Sequence, residues 1–131
     1  MNVAVIGLGY WGPNLVRNLL ASSEISSVTI CDANTDRLAN CATRFPGVLT
    51  ETDSQRVFTN AAIDAVVIAT PVYTHYDLAR KALENGKHVL MEKPFTRTSQ
   101  QAQDLITIAS TLNLTLMVDH TFLFTGAVAK M

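Results

Sequence analysis

Charge is scarce in this chain, and what there is nearly cancels. Asp, Glu, Lys and Arg together make up 16% of the 131 residues and leave a net charge of −1. Clustered positive charge, the footprint of a nucleic-acid or membrane-surface partner, is missing, so neither partner is expected. Cysteine is equally sparse. Cys31 falls in an apolar run and Cys41 in a helix-like run, and their spacing matches no zinc or redox motif. Both read as small buried hydrophobes, suited to a reducing, cytoplasmic compartment. No apolar run approaches the roughly 20 residues that span a bilayer. The stretch from Met1 to Ile6 has no basic residues ahead of its apolar ones and runs straight into a glycine turn, unlike a signal peptide. Internal repeats, low-complexity tracts and long linkers are lacking too.

What is present is a globular composition, 48% hydrophobic, enough for one domain with a substantial core. Short apolar runs alternate with longer stretches of helical spacing. Val3–Ile6, Val28–Cys31, Ala65–Ala69, His88–Met91 and Leu114–Val118 read as strands, with a weaker sixth near Val48–Leu49. They are apolar on both faces, as strands of a parallel sheet are when helices cover each side. Between them, Leu15, Val16, Leu19 and Leu20 share one helical face, and Leu78, Ala79, Ala82 and Leu83 share another. Thr74 with Asp77, and Thr98 with Gln101, have capping-box spacing, while Asn85-Gly86 signals a helix end. The alternation predicts an α/β doubly wound parallel sheet of about six strands, with right-handed crossovers and helices on both faces. Length and alternation do not separate the Rossmann strand order from other doubly wound orders.

The first strand leads into Gly7-Leu8-Gly9-Tyr10-Trp11-Gly12, and Asp32 stands twenty residues beyond Gly12 at the end of the second strand. Strand, glycines, helix and acid in this order form a dinucleotide-binding fingerprint. Gly7 serves the tight turn, Gly9 lets the backbone approach a pyrophosphate, and Gly12 lets the helix pack close. The helix N-terminus then offers free N–H groups and partial positive charge to the phosphates. Asp32 can accept from both hydroxyls of the adenosine ribose. A 2′-phosphate would meet its charge, and Ala33 and Asn34 supply no compensating arginine, although Arg37 is not far off. NAD is therefore favoured over NADP. Thr70 and Pro71, with His75, and Glu92 with Lys93, sit where strand ends line a cofactor crevice. On composition alone Thr70-Pro71 is an ordinary strand exit, His75 a first-turn residue and Lys93 a surface lysine.

The Gly7–Gly12 turn, Ala69-Thr70-Pro71 with His75, and Gly86-Lys87-His88-Val89 leading to Glu92-Lys93-Pro94 resemble the N-terminal half of the Gfo/Idh/MocA oxidoreductases. The resemblance covers essentially the whole chain. The Tyr-Trp-Gly start, with Asn14 and Arg17, is most similar to members that act on nucleotide sugars. It implies that Lys93 is catalytic, beside the nicotinamide, polarising a substrate hydroxyl or carbonyl. Thr70, Pro71, His75 and Glu92 would line or approach the same region. The implied activity is hydride transfer between a sugar hydroxyl or ketone and NAD.

Members of that family are much longer, and a second domain binds the sugar and supplies the proton-transfer residues. Residues 1–119 are accordingly expected to form the dinucleotide-binding domain and 120–131 a crossing segment toward an absent second domain, with a helix beginning near Val128. Asp119 and His120 belong to the strand exit and hinge. By itself the chain is expected to bind NAD without turnover, sugar binding needing the second domain. Phe122, Leu123 and Phe124 should be exposed, a patch suited to homo-oligomer formation. The alternatives are a small oxidoreductase whose active site is shared across such an oligomer, and a non-catalytic NAD-binding sensor.

Overall fold

In the computed structural model of the chain, which describes residues 1–124, every one of the apolar runs becomes a strand. They are β1 (Asn2–Ile6), β2 (Ser27–Cys31), β3 (Leu49–Glu51), β4 (Ala65–Ile68), β5 (His88–Glu92) and β6 (Leu116–Asp119). All pair in parallel, in the order β3-β2-β1-β4-β5-β6. The connecting helices are α1 (Gly12–Leu20), α2 (Thr35–Arg44), α3 (Ser54–Thr59), α4 (Val72–Glu84) and α5 (Ser99–Thr111), and a 3-10 turn, Thr121–Phe124, follows β6. This is the Rossmann order, which reverses direction between β1 and β4 and opens a crevice there. No helix among the described residues is long and apolar enough to cross a membrane.

The two-faced hydrophobicity of the strands has a direct cause. Successive side chains of a strand point to opposite faces. Val3 and Val5 enter one core with Val16 of α1 and with Leu38 and Cys41 of α2. Ala4 and Ile6 enter the other, with Phe58 of α3, Ala79 and Leu83 of α4 and Leu105 of α5. Both cores are needed to hide one sheet.

The helix ends follow their local chemistry in most places. Thr98 caps α5 by accepting from the Gln101 N–H. At the end of α4, Gly86 takes a φ of 77°, and Lys87 N–H and Gly86 N–H donate to the carbonyls of Ala82 and Leu83, a Schellman closure. Thr74 and Asp77 do not form the expected box. Pro71 starts α4 earlier, its carbonyl takes the Thr74 N–H, and the Thr74 hydroxyl turns back to the same carbonyl at 2.7 Å. The last strand begins two residues later than expected. Asn113 adopts a φ of 55° and Leu114 N–H donates to Ala109, so Leu114 belongs to the closure of α5. The short α3 was not anticipated, and Asp53 caps it by accepting from Gln55. The helix expected from Val128, with the rest of 125–131, lies outside the described residues. Of the expected apolar patch, the Leu123 side chain is described and is exposed.

Candidate functional site

The crevice at the switch point has a volume of about 900 Å³, within the range of small-molecule sites. The turn after β1 forms its floor. Gly7 has a φ of 97°, and a Cβ there would stand 2.7 Å from the Ala69 carbonyl oxygen and 2.8 Å from Cγ2 of Thr70. Only glycine satisfies both demands. A Cβ on Gly12 would overlap the carbonyl oxygen of Gly7, so the first turn of α1 sits directly on the loop. At Gly9 a Cβ would meet nothing within 4 Å, which leaves that face open to the crevice. The N–H groups of Gly9, Tyr10 and Trp11 have no partner among the described residues. Pro13, in the first turn of α1, removes an N–H that the helix has no use for. Tyr10 and Trp11 also line the crevice and form a stacked pair with ring centroids 6.5 Å apart.

Asp32 follows β2 at one end. Its Oδ2 accepts from Leu8 N–H and its Oδ1 from Asn34 N–H, both at 2.8 Å. The carboxylate is thus clamped between the glycine turn and the start of α2, and each oxygen retains a free lone pair. Ala33, Arg37, Thr52 and Ser54 line the same end. Cys31 lies against it, buried, with its thiol pushed up to about 12 by burial and then by the carboxylates of Glu51, Asp32 and Asp53.

The other end is built by β4 and β5. Thr70, Pro71, Glu92 and Lys93 line it, joined by Leu78 and Thr121. Lys93 is exposed and Glu92 is buried. Three sheet spacings separate β2 from β5, roughly 14 Å, so a ligand touching both ends must be elongated. Glu92 has its carboxyl raised above the ordinary range by burial first, then by Asp119, its register partner on β6.

The remaining expected residues serve the site from behind its surface. Leu8 lends its N–H to Asp32 while its side chain is buried in the core. Asn34 spends its side chain capping α2, accepting from Asp36 and Arg37 N–H groups. His75 does not reach the crevice surface. It is 1% exposed. Its Nδ1 lies 2.9 Å from the Pro94 carbonyl and its Nε2 lies 2.8 Å from the Thr70 carbonyl, so the ring braces the β4 exit against the loop that carries Lys93. Thr52, Ser54 and Thr121 were not anticipated, although the strand-end rule, applied to the weak third strand, points at the first two. The pairing of Glu92 with Asp119 depends on the register of β5 and β6, which no local pattern announces.

The profile of the Gfo/Idh/MocA oxidoreductase family, NAD-binding Rossmann fold, matches residues 1–120. The chain is 35% identical over 125 residues to the UDP-N-acetylglucosamine 3-dehydrogenase of Acidithiobacillus ferrooxidans, an alignment covering 92% of this chain and 37% of that enzyme. Among solved structures, GenD2 from gentamicin A biosynthesis, in complex with NAD, superposes with a TM-score of 0.92 at 26% identity, covering 99% of this chain and 37% of that one. KijD10, a 3-ketoreductase from Actinomadura kijaniata in complex with NADP and TDP-benzene, gives 0.91 at 28% identity, covering 99% and 40%. The chain spans about a third of the length of the curated relatives it matches.

Proposed function

The chain belongs to the Gfo/Idh/MocA family of oxidoreductases, as its NAD-binding Rossmann domain, and from that premise we propose that it holds NAD along the crevice from Asp32 to Lys93. The observation that carries this reading is the clamped Asp32 carboxylate beside the open face of Gly9. The residues fit a dinucleotide. Asp32 has lone pairs to spare for ribose hydroxyls, and the free N–H groups of Gly9, Tyr10 and Trp11 suit a pyrophosphate. Thr70, Pro71, Glu92 and Lys93 would then receive the nicotinamide half, with residues 1–119 as the binding unit.

NAD is favoured over NADP because a 2′-phosphate would meet the charge of Asp32. Arg37 lines the same end and is the side chain that would temper this. A bound NAD supplies the hydride acceptor or, when reduced, the donor. Lys93 would stabilise negative charge developing on the substrate oxygen, an effect that is strong where water is excluded. A sugar or nucleotide sugar is the proposed substrate class, supported by relatives named as a UDP-N-acetylglucosamine 3-dehydrogenase and a 3-ketoreductase. Holding that sugar would require a region beyond the third of the relatives' length that this chain matches.

Calorimetric titration with NAD and NADP, beside an Asp32→Ala variant, tests the reading. NAD should bind more tightly than NADP, and the variant should weaken NAD and narrow the difference. No binding of either dinucleotide would refute it.

A further inference from the structure

Among the described residues, Oε1 of Glu92 is the buried side-chain polar atom without a hydrogen-bond partner. The residue is only 8% exposed, yet it lines the crevice beside Lys93. Its other oxygen accepts from the Lys93 N–H at 3.2 Å. A buried carboxylate oxygen left unpaired is costly. Directly across the register of β5 and β6 stands a second acid, Asp119, whose Oδ1 accepts from the Thr121 hydroxyl at 3.3 Å. Neither carboxylate can donate to the other while both are ionised. A proton on Glu92 would turn its unpaired oxygen into a donor and remove the repulsion.

The surroundings agree with that arrangement. Burial raises the Glu92 carboxyl most, Asp119 raises it further, and the Lys93 N–H and ammonium pull the other way. On the β4 side the chain presents uncharged Ile68, Ala69 and Thr70. From α4 comes His75, whose ring nitrogens are taken up by the carbonyls of Thr70, Pro94 and Phe95. A buried carboxyl beside a second carboxylate holds its own proton more tightly.

We propose that Glu92 keeps its proton in the free protein, facing the Asp119 carboxylate across the register, and releases it when the cationic, oxidised nicotinamide enters the crevice, so that this end of the site distinguishes oxidised from reduced cofactor. The inference rests on the placement of the nicotinamide half proposed above. Two ionised carboxylates offset both the pyridinium charge and the Lys93 ammonium. The reduced ring is neutral and gives Glu92 no reason to ionise. Proton balance is simple: oxidised cofactor binds and one proton leaves to solvent, whereas reduced cofactor binds and none does.

Linkage converts this into a measurable slope. Affinity for NAD⁺ should rise up to about tenfold per pH unit across the window in which Glu92 is protonated in the free protein, because one proton is released. Affinity for NADH should stay flat across the same window. Titration calorimetry of the full chain with NAD⁺ and with NADH, in two buffers of different ionisation enthalpy, counts the protons. The expected result is release approaching one proton with NAD⁺ and none with NADH in the unmutated chain, no release with either in Glu92→Gln, and a smaller release with NAD⁺ in Asp119→Asn. Binding of both cofactors without proton release in the unmutated chain overturns the inference and leaves the cofactor reading standing. Release that persists unchanged in both folded variants overturns it too. If neither cofactor binds, the cofactor reading fails and this inference with it. Should a variant fail to fold, the proton count of the unmutated chain decides alone.

Discussion

Two glycines of the same turn should respond to the same substitution in opposite ways. At Gly9 an added Cβ meets no atom within 4 Å, and no left-handed φ is involved. Gly9→Ala should therefore fold normally, and reduced freedom of the unfolded chain could add about 0.4–1 kcal/mol of stability. In the proposed binding mode, its methyl group would nevertheless stand where the pyrophosphate approaches. Displacing one charge-assisted hydrogen bond costs roughly 1.5–3 kcal/mol, or roughly 10- to 100-fold in NAD affinity. At Gly12 the methyl group would overlap the Gly7 carbonyl oxygen. That neighbour is backbone and cannot swing away, so the first turn of α1 has to move. Overpacking of this kind costs about 3 kcal/mol, which lowers the Tm of a domain of this size by roughly 10 °C. Thermal unfolding and NAD titration of both variants give four numbers. Gly9→Ala binding NAD like the unmutated chain would refute the phosphate-cradle argument. Gly12→Ala unfolding at the unmutated temperature would refute the contact argument.

Three further outcomes follow from the buried groups. Lys87 is buried and donates from Nζ to the carbonyls of Asn60 and Ile63 at 2.7 Å each; Lys87→Met leaves both carbonyls short of a donor and should cost about 1–3 kcal/mol in denaturant unfolding. Because the Glu92 carboxyl is raised above its ordinary 4.5 in the folded chain, the protonated form favours folding, and its contribution is lost as pH rises through the raised value. Glu92→Gln should flatten that part of the Tm-against-pH curve, and identical curves would refute the assignment. The Cys31 thiol, buried and raised from 9.0 to about 12, should resist alkylation at mildly alkaline pH until the chain unfolds, and fast labelling of the native protein, read by mass spectrometry, would contradict its burial.

Much of the architecture was legible in the residues because its causes are local. An apolar run such as Val3–Ile6 can only be hidden by covering both faces, and the glycine turn that follows tolerates no side chain at Gly7. Thr98 and Gly86 mark helix ends through bonds that span a few residues. Where the local signal had competitors, tertiary context decided. Thr74 had the spacing of a cap but sits one turn inside a helix that Pro71 had already begun. Leu114 had the hydrophobicity of a strand but closes α5.

The amino-acid sequence by itself determined the parallel α/β pattern, the glycine turn and the place of Asp32, because each depends on residue type and short spacing. Only the tertiary structure decided the strand order, and with it which strand ends share a crevice. It also turned His75 from a candidate contact into a brace behind the wall, and set Glu92 opposite Asp119. Those outcomes depend on register between strands and on packing between distant segments. Residues 27 positions apart become neighbours only when β5 and β6 pair, and nothing in either strand alone records which residue it will face.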